Sequence, residues 1–458
     1  MQTSLIESLK DTTQGKEAES ILRACVHCGF CTATCPTYQV LGDELDGPRG
    51  RIYLIKQVLE GNAVSVKTQV HLDRCLHCLA CETTCPSGVR YGRLVDIGRE
   101  LVDSRVQRPV SVRLLRRALR LVLPHPRRFA FLLGVGRRLQ ALLPAGWSGK
   151  IPRRQAAASW PKPRHPRKML VLDGCVQSVV GPATNAAAAR VFDRLGISLI
   201  RAEHAGCCGA LSHHLTAHRE ALNFVRRNIE AWWPYVESGV EAIVMTASGC
   251  GAMVKEYGLL LRDDAAYAQK AARIASMTQD LSEILAEENL PALDIDAQGK
   301  KVAFQAPCTL QHGQRITGLV EGILSRCGYR LTAVPDAHLC CGSAGTYSIL
   351  QPELSNAESF PTRGRPSHPA GVRVEEIIAL VSVRTCPATG LCSAWVAGTS
   401  CESVDAAPST AASNMASSVR LRRKRMISAS PRANPRKRGR GSRVAGRGRP
   451  AFTCSDGT

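Results

Sequence analysis

Two copies of one cysteine pattern stand near the start of this 458-residue chain. Each copy reads C-x-x-C-x-x-C-x-x-x-C-P, once over residues 25–36 and once over residues 75–86. Soft thiolate ligands suit iron–sulfur clusters better than hard oxygen ligands do, and this spacing lets a short loop wrap three thiolates around a cubane. The two copies therefore predict two 4Fe-4S clusters.

The fourth cysteine of each copy precedes a proline and, in this pattern, ligates the cluster that the other copy surrounds. The crossed assignment gives these ligands: Cys25, Cys28, Cys31 and Cys85 for cluster I, and Cys75, Cys78, Cys81 and Cys35 for cluster II. Structural zinc is the alternative, but zinc sites normally combine two C-x-x-C pairs rather than runs of four cysteines, which favours iron. His27 and His77 recur within the two runs, and we expect them to pack or to support the loop rather than to ligate.

The composition agrees with redox chemistry in a reducing compartment. The chain has 20 cysteines, no apolar secretory signal at its start and no run of about 18 apolar residues that would span a membrane. We therefore expect a cytoplasmic protein, or one that lies peripherally on the inner face of the cell membrane. The net charge is +22, and +11 of it lies after residue 355, where 17 Lys+Arg stand against 6 Asp+Glu.

Helical patterns connect and follow the two cysteine runs. An apolar stretch covers 52–61 and a second one covers roughly 92–106, so residues 1–105 are predicted to form an α-helical ferredoxin domain. Residues 106–166 form a basic helical linker that ends in a proline-rich boundary. Arginines interleaved with leucines are typical of a solvated linker face and also of helices on an anionic membrane surface, and we favour the linker.

A second internal repeat follows the linker. An apolar strand leads to Cys175 in the first copy and to Cys308 in the second, and 32 positions later each copy reaches a Cys-Cys-Gly sequence, at 207–209 and at 340–342. The alternation of strand, helix and strand predicts two α/β modules, over 167–297 and 298–355.

The cysteines of these modules are candidates for a further site, because the carboxyl ends of strands in α/β folds are where ligands usually bind. They are Cys175, Cys207, Cys208 and Cys250 in the first module and Cys308, Cys340 and Cys341 in the second. Three interpretations stay open: a further cluster or metal, a dithiol–disulfide pair, and buried cysteines that pack as small hydrophobes. His204, His213 and His214 flank the Cys-Cys pair and could supply positive charge to a reactive thiol.

The order of these features resembles the iron–sulfur subunit of glycolate oxidase, also called glycolate dehydrogenase. Besides the ferredoxin runs, the resemblance rests on the motifs at 47–52, 205–211, 246–251 and 340–347, and it covers residues 1 to about 354. It implies an electron-transfer subunit of a glycolate dehydrogenase complex that has two 4Fe-4S clusters and no catalytic residue of its own. The implied partners are flavin-containing subunits, which oxidise glycolate to glyoxylate, and a quinone or other membrane electron acceptor.

Related complexes are the alternative. The wider family includes subunits for lactate or glycerol-3-phosphate oxidation and heterodisulfide-type thiol reductases, whose Cys-Cys-Gly modules hold unusual clusters through a final C-x-x-C. Here Met253 stands three positions after Cys250, so that ligand set is incomplete. No Gly-x-Gly-x-x-Gly fingerprint follows a strand, and we therefore expect no nucleotide site in this chain.

Residues 356–458 depart from the family pattern. A third cysteine motif is expected near residue 383, but the chain reads TCPATGLC at 385–392, with Cys386 and Cys392, and then becomes rich in Ser, Ala, Arg and Gly. We predict an incomplete second module and a largely disordered basic tail. A tail that binds nucleic acid is one interpretation; we prefer a carboxyl terminus replaced by a frameshift, and we expect no nucleic-acid partner.

Overall fold

The computed structural model describes residues 1–142, 151–152, 154–156, 159–295 and 297–358. The expectations for the tail from residue 359 onward, including those for Cys386 and Cys392, lie outside the described residues.

An all-helical domain contains both cysteine runs. Its helices are α1 (Glu7–Lys10), α2 (Thr13–Ala24), α3 (Phe30–Ala33), α4 (Pro36–Leu41), α5 (Pro48–Leu59), α6 (Val66–Asp73), α7 (Ala80–Thr83) and α8 (Tyr91–Arg105), with a 3-10 turn at Glu44–Asp46. Prolines begin α4 and α5, where a missing N–H costs no helical hydrogen bond. Thr12 caps α2 and Ser65 caps α6, because each side-chain oxygen accepts a hydrogen bond from a first-turn N–H group.

Helices α2, α5 and α8 pack around one apolar core, in which Leu22 and Ile55 are fully buried. The close approach of α8 to α5 requires Gly98, since a Cβ there would lie 2.6 Å from the Ile55 side chain. The same core includes Cys25 and Cys75, the first cysteine of each run. The helices therefore fix the point at which each cysteine loop begins.

Two basic helices, α9 (Val110–Val122) and α10 (Pro126–Arg138), follow this domain, and a 3-10 turn follows them at Gln140–Leu142. Neither helix has a fully buried residue. Leu123, Phe129 and Leu133 nevertheless pack, partly buried, against the next module.

The first α/β module contains a four-stranded parallel sheet in the order β2-β1-β3-β4. The strands are β1 (Arg167–Val171), β2 (Ile197–Arg201), β3 (Ile243–Met245) and β4 (Thr278–Asp280). The helices are α11 (Gln177–Val180), α12 (Pro182–Arg194), α13 (Ala210–His214), α14 (His218–Glu237), α15 (Ser248–Lys255), α16 (Tyr257–Leu260), α17 (Ala268–Met277) and α18 (Leu281–Glu287). Asp280 begins α18 with a capping box that also involves Glu283.

The second module follows a 3-10 turn at Leu290–Leu293 and has a two-stranded parallel sheet. It comprises β5 (Lys301–Ala303), a π-helical turn (Thr309–Gly313), α19 (Leu319–Arg326), β6 (Arg330–Thr332), α20 (Tyr347–Leu350) and α21 (Pro352–Glu358). Phe192 and Leu199 of the first module share one apolar core with Val302 and Val320 of the second. The predicted fold class, a helical ferredoxin domain followed by two α/β modules, is confirmed.

Candidate iron–sulfur centres

One cavity of the helical domain is lined by cysteines from both runs: Cys25, Cys28, Cys31, Cys81 and Cys85. Cys25 directly follows α2, Cys28 lies on the next loop, Cys31 lies in α3, and Cys85 comes from the end of the second run. His27 and Gly29 have φ angles of 56° and 85°, and this left-handed backbone curls the loop around the cavity.

A second cavity is lined by Cys35, Cys75, Cys78 and Cys81. Its loop repeats the conformation of the first, since His77 and Leu79 have φ angles of 54° and 62°. Left-handed backbone at residues other than glycine is uncommon and clusters at functional sites. Cys85 of the second run thus lines the first cavity, and Cys35 of the first run lines the second.

Cys35 reaches the second cavity because the chain changes direction after α3. Cys35 itself is extended, with φ of −88° and ψ of 111°, and Pro36 begins α4 directly after it. Pro36 therefore starts a new helix, besides preventing the earlier one from continuing.

Hydrogen-bond donors face the cysteine sulfurs. The Sγ atom of Cys75 accepts from the backbone N–H of His77 at 3.4 Å and from the Tyr91 hydroxyl at 3.5 Å. The backbone N–H of His27 is likewise bonded to Cys25. Such donors stabilise a negatively charged sulfur. Each histidine thus supports its loop through the backbone rather than through its ring.

Burial makes the bare thiolates unfavourable. It raises the pKa of the Cys31 thiol to about 11, and it raises the pKa of Cys81 well above its ordinary value. A desolvated anion is costly unless a cation accompanies it. Binding of a soft metal must therefore release thiol protons, so that metal binding and pH are linked.

Two arginines of α5 stand at different depths beside the cavities. Arg49 lines the first cavity, keeps 38% of its side chain exposed and pairs with Glu44 at 2.6 Å. Arg51 lines the second cavity, is 1% exposed and lies 3.6 Å from Asp46. A group in the second cavity therefore meets a desolvated positive charge, whereas a group in the first meets a solvent-screened one.

The donor chemistry of both cavities fits an iron–sulfur cubane. Five cysteines line the first cavity and four line the second, and none of the described residues that line them is Asp or Glu. Thiolates without carboxylate donors are the ligand set that such clusters take.

Four thiols of the first module meet where its strands end. Cys175 follows β1, Cys207 and Cys208 follow β2, and Cys250 lies in α15, which follows β3. Cys175 and Cys208 both hydrogen-bond Cys207 and lower the pKa of its thiol, and Cys250 bonds Cys208. All four are free thiols. The structure thus brings together the four cysteines that the strand pattern singled out.

His213 and His214 do not supply positive charge to these thiols, contrary to expectation. They face the ferredoxin domain, where the His214 ring lies 4.7 Å from that of His77 and His213 Nδ1 lies 3.9 Å from the Asp96 carboxylate. Burial lowers the pKa of His213 to about 4, so this ring is neutral at ordinary pH. The positive charge that lowers the pKa of the Cys207 thiol comes instead from Arg227.

The second module places its thiols beside the second cavity. The Sγ atoms of Cys340 and Cys308 lie 3.8 Å apart, and both residues pack with Leu76 and Cys78 of the second cysteine loop. No sequence pattern predicts this contact, because the repeat offset does not reveal which surface a module packs against.

Two thiolate cavities in a helical domain, joined to α/β modules with thiols at their strand ends, define an iron–sulfur protein with a ferredoxin domain and cysteine-rich modules. Residues 21–89 match the family described as 4Fe-4S dicluster domain, and residues 169–255 and 302–360 match the family described as Cysteine-rich domain.

Relatives specify the protein further. The chain is 58% identical over 357 residues to the glycolate oxidase iron-sulfur subunit of Escherichia coli K12. The aligned region covers 78% of this chain and 87% of the relative. The chain is 29% identical over 367 residues to the probable glycolate oxidase iron-sulfur subunit of Bacillus subtilis 168, covering 74% and 82%. A lactate utilization protein A of Bacillus licheniformis is 30% identical over 184 residues, or 39% of this chain and 72% of the relative. This chain belongs to the family of glycolate oxidase iron–sulfur subunits, and the resemblance noted from its motifs is confirmed.

Within the described residues, no helix combines the length and apolar character needed to cross a membrane.

Proposed function

We propose that this chain relays electrons through two 4Fe-4S clusters in a glycolate oxidase (glycolate dehydrogenase) complex. A flavin-containing partner oxidises glycolate to glyoxylate, which releases two electrons and two protons. The electrons pass singly through this chain toward a quinone-type acceptor. The observation that carries the proposal is the pair of cavities, each lined by at least four cysteines that come from both runs.

The arrangement of the cavities supports a relay. Pro48, Cys81 and Tyr91 line both cavities, so that only one layer of side chains separates them. Groups this close can exchange an electron without a mobile carrier between them. The roles of this chain's own residues are then to hold the clusters, to donate hydrogen bonds to their sulfurs and to set the charge around each one.

The hydride chemistry belongs to a partner. A flavin supplies the two-electron step, and this chain contributes one-electron carriers and their environment. The test measures glycolate oxidation with a dye acceptor by the isolated chain and by the chain combined with flavin-containing subunits. We expect turnover only from the combination; turnover by the isolated, flavin-free chain would overturn the relay.

A related complex that oxidises lactate or glycerol-3-phosphate is the second candidate for the substrate. The same reconstituted complex decides this point when it is offered glycolate, lactate and glycerol-3-phosphate in turn. Cluster reduction fastest with glycolate supports the proposal, whereas preference for another donor reassigns the substrate and leaves the relay intact.

A thiol–disulfide reductase is the alternative of a different class. The lowered pKa of the Cys207 thiol favours it, since a thiolate is the nucleophile in such chemistry. Against it, Cys207 is 1% exposed and Cys208 is 3% exposed, and a disulfide substrate needs access to the attacking sulfur. Reduction of a small disulfide by the dithionite-reduced chain would favour the reductase.

A further inference from the structure

Two of the four arginines of helix α9, Arg116 and Arg120, are turned toward the protein. Arg116 lies 3.9 Å from Asp73 and 3.8 Å from Asp103, and only 12% of its side chain is exposed. Arg120, one turn further along, lies 3.7 Å from Glu220. Amphipathic helices on soluble domains normally show the opposite arrangement, with the apolar side inward and the charged side in water.

The apolar side of α9 therefore faces outward. Val110 is 64% exposed, Leu114 is 62% exposed and Leu121 is 50% exposed. Their spacing of four and seven positions places them on one side of the helix.

The helix α10 adds a second outward apolar side. Phe129 and Leu133 pack against the thiol-bearing module, whereas other large apolar side chains of this helix are exposed. Phe131 is 70% exposed and Leu132 is 48% exposed. We define the outer helical face as the exposed apolar residues Val110, Leu114, Leu121, Phe131, Leu132, Val135, Leu139 and Leu142.

The segment that forms this face carries positive charge alone. Residues 106–142 contain nine arginines and no Asp, Glu or Lys. Five of these arginines are exposed and form no ion pair with any residue that the structure describes; they are Arg113, Arg117, Arg127, Arg128 and Arg138. Exposing a large apolar surface to water is unfavourable. Such a surface, bordered by unpaired arginines, is complementary to one that is apolar beneath a layer of negative charge.

We propose that the outer helical face binds an anionic lipid surface, with α9 and α10 lying in the interface and the arginines at the level of the headgroups. Leucine, valine and phenylalanine on one side of a short helix, with arginine beside them, form the pattern of interfacial helices. A partner subunit is the other occupant to consider. It would need a carboxylate opposite each arginine, whereas an anionic lipid surface supplies negative charge at every position.

The proposal goes beyond electron relay and does not depend on the identity of the electron acceptor. It names the surface that would bring the relay to a lipid-soluble acceptor, and its test involves no electron transfer. Failure of lipid binding would therefore leave the relay standing, and failure of the relay would leave lipid binding standing.

The test measures co-sedimentation of the anaerobically prepared full chain with phosphatidylcholine vesicles, with and without a minority of phosphatidylglycerol. We expect binding to the anionic vesicles, and we expect Leu114→Gln/Phe131→Gln to weaken it on the order of tenfold or more, since two exposed anchors lose their apolar character. The matched control, Val66→Gln/Ile349→Gln, removes two similarly exposed apolar side chains elsewhere and should bind like the parent chain.

The basic tail requires its own control, because its positive charge would also attract anionic lipid. Arg113→Gln/Arg117→Gln and Arg422→Gln/Arg423→Gln each remove two charges, the first pair beside the outer helical face and the second in the tail. Raised salt should weaken the charge attraction and spare apolar insertion. The proposal is overturned if Leu114→Gln/Phe131→Gln binds like the parent, if all binding disappears at high salt, or if that variant keeps lipid binding but loses its flavin-containing partners.

Discussion

The guanidinium of Arg51 and the carboxylate of Asp46 lie 3.6 Å apart beside the second thiolate cavity, and at most 1% of either side chain is exposed. Asp46 is held from two further sides, by Arg74 at 2.8 Å and by His71 at 3.0 Å. Arg51 donates its Nε–H to the His71 carbonyl, but its Nη2 has no hydrogen-bond partner among the described atoms. A buried donor without a partner, next to Cys35 and Cys75, leaves positive charge available to a negatively charged cluster.

This charge should raise the reduction potential of cluster II, because it stabilises the more negative reduced state. We expect Arg51→Gln to lower the midpoint potential of cluster II on the order of 50 mV, and Arg51→Lys to lower it less. Asp46 keeps Arg74 as a partner in both variants. An EPR-monitored redox titration of the full chain measures the shift.

Arg49→Gln is the matched control for that titration. Arg49 stands two positions away on the same helix, but it is solvent-exposed and already paired with Glu44. Its removal should move either potential much less than Arg51→Gln does. Equal shifts from the two variants would show that burial of the charge is not what sets the potential.

Much of the ferredoxin domain could be predicted from the sequence, because the cysteine spacing determines how each loop is shaped. The crossed approach of Cys35 and Cys85 to the opposite cavities follows from that spacing. The depth of Arg51 could not be predicted, since Arg49 and Arg51 look equivalent in the chain and only the packing of α5 separates them. The expectation that His213 supplies positive charge to the thiols was wrong, because its closeness to Cys207 in the sequence does not reveal which way α13 faces.

The packing of the modules and of α9 against the rest of the chain could not be predicted from the sequence either. Cys308 and Cys340 lie near Cys78 through tertiary packing, which no local pattern reports. The inward side of α9 depends on carboxylates far away in the chain, such as Asp73 and Glu220. Its hydrophobic periodicity predicted the helix but gave no indication that the apolar side would face outward.

The crossed ligand assignment predicts which cluster each fourth cysteine supports. Cys85→Ser should damage cluster I, whose other ligands are Cys25, Cys28 and Cys31, and it should leave the EPR signal of cluster II in place. The matched variant Cys35→Ser should do the reverse. Loss of cluster II in Cys85→Ser, with cluster I retained, would mean that each run holds its own cluster.

The buried carboxyl group of Glu358 should make the free energy of unfolding depend on pH. Its carboxylate is 3% exposed and accepts hydrogen bonds from Thr37 and Tyr347, and burial raises its pKa from 4.5 to about 7. The folded state therefore binds this proton more tightly than the unfolded state does, and the contribution of Glu358 to stability falls as the pH rises from about 4.5 to about 7.

Glu358→Gln should remove that pH dependence. Between pH 5 and pH 8 we expect the free energy of unfolding of the variant to rise by about 2 kcal/mol relative to the parent chain. Unfolding of the cluster-loaded full chain at both pH values measures this difference. Glu353→Gln, an exposed position on the same helix, is the control. Parallel pH curves for the Glu358→Gln variant and the parent would contradict the prediction.

The central claim is that this chain is an electron relay with two cubane clusters, and chemical analysis with EPR tests it most directly. The anaerobically purified full chain should contain about eight irons and eight sulfides and, once reduced, should show the EPR signals of two interacting 4Fe-4S clusters. A preparation that contains stoichiometric zinc, with no acid-labile sulfide and no cluster signal after reconstitution, would contradict it.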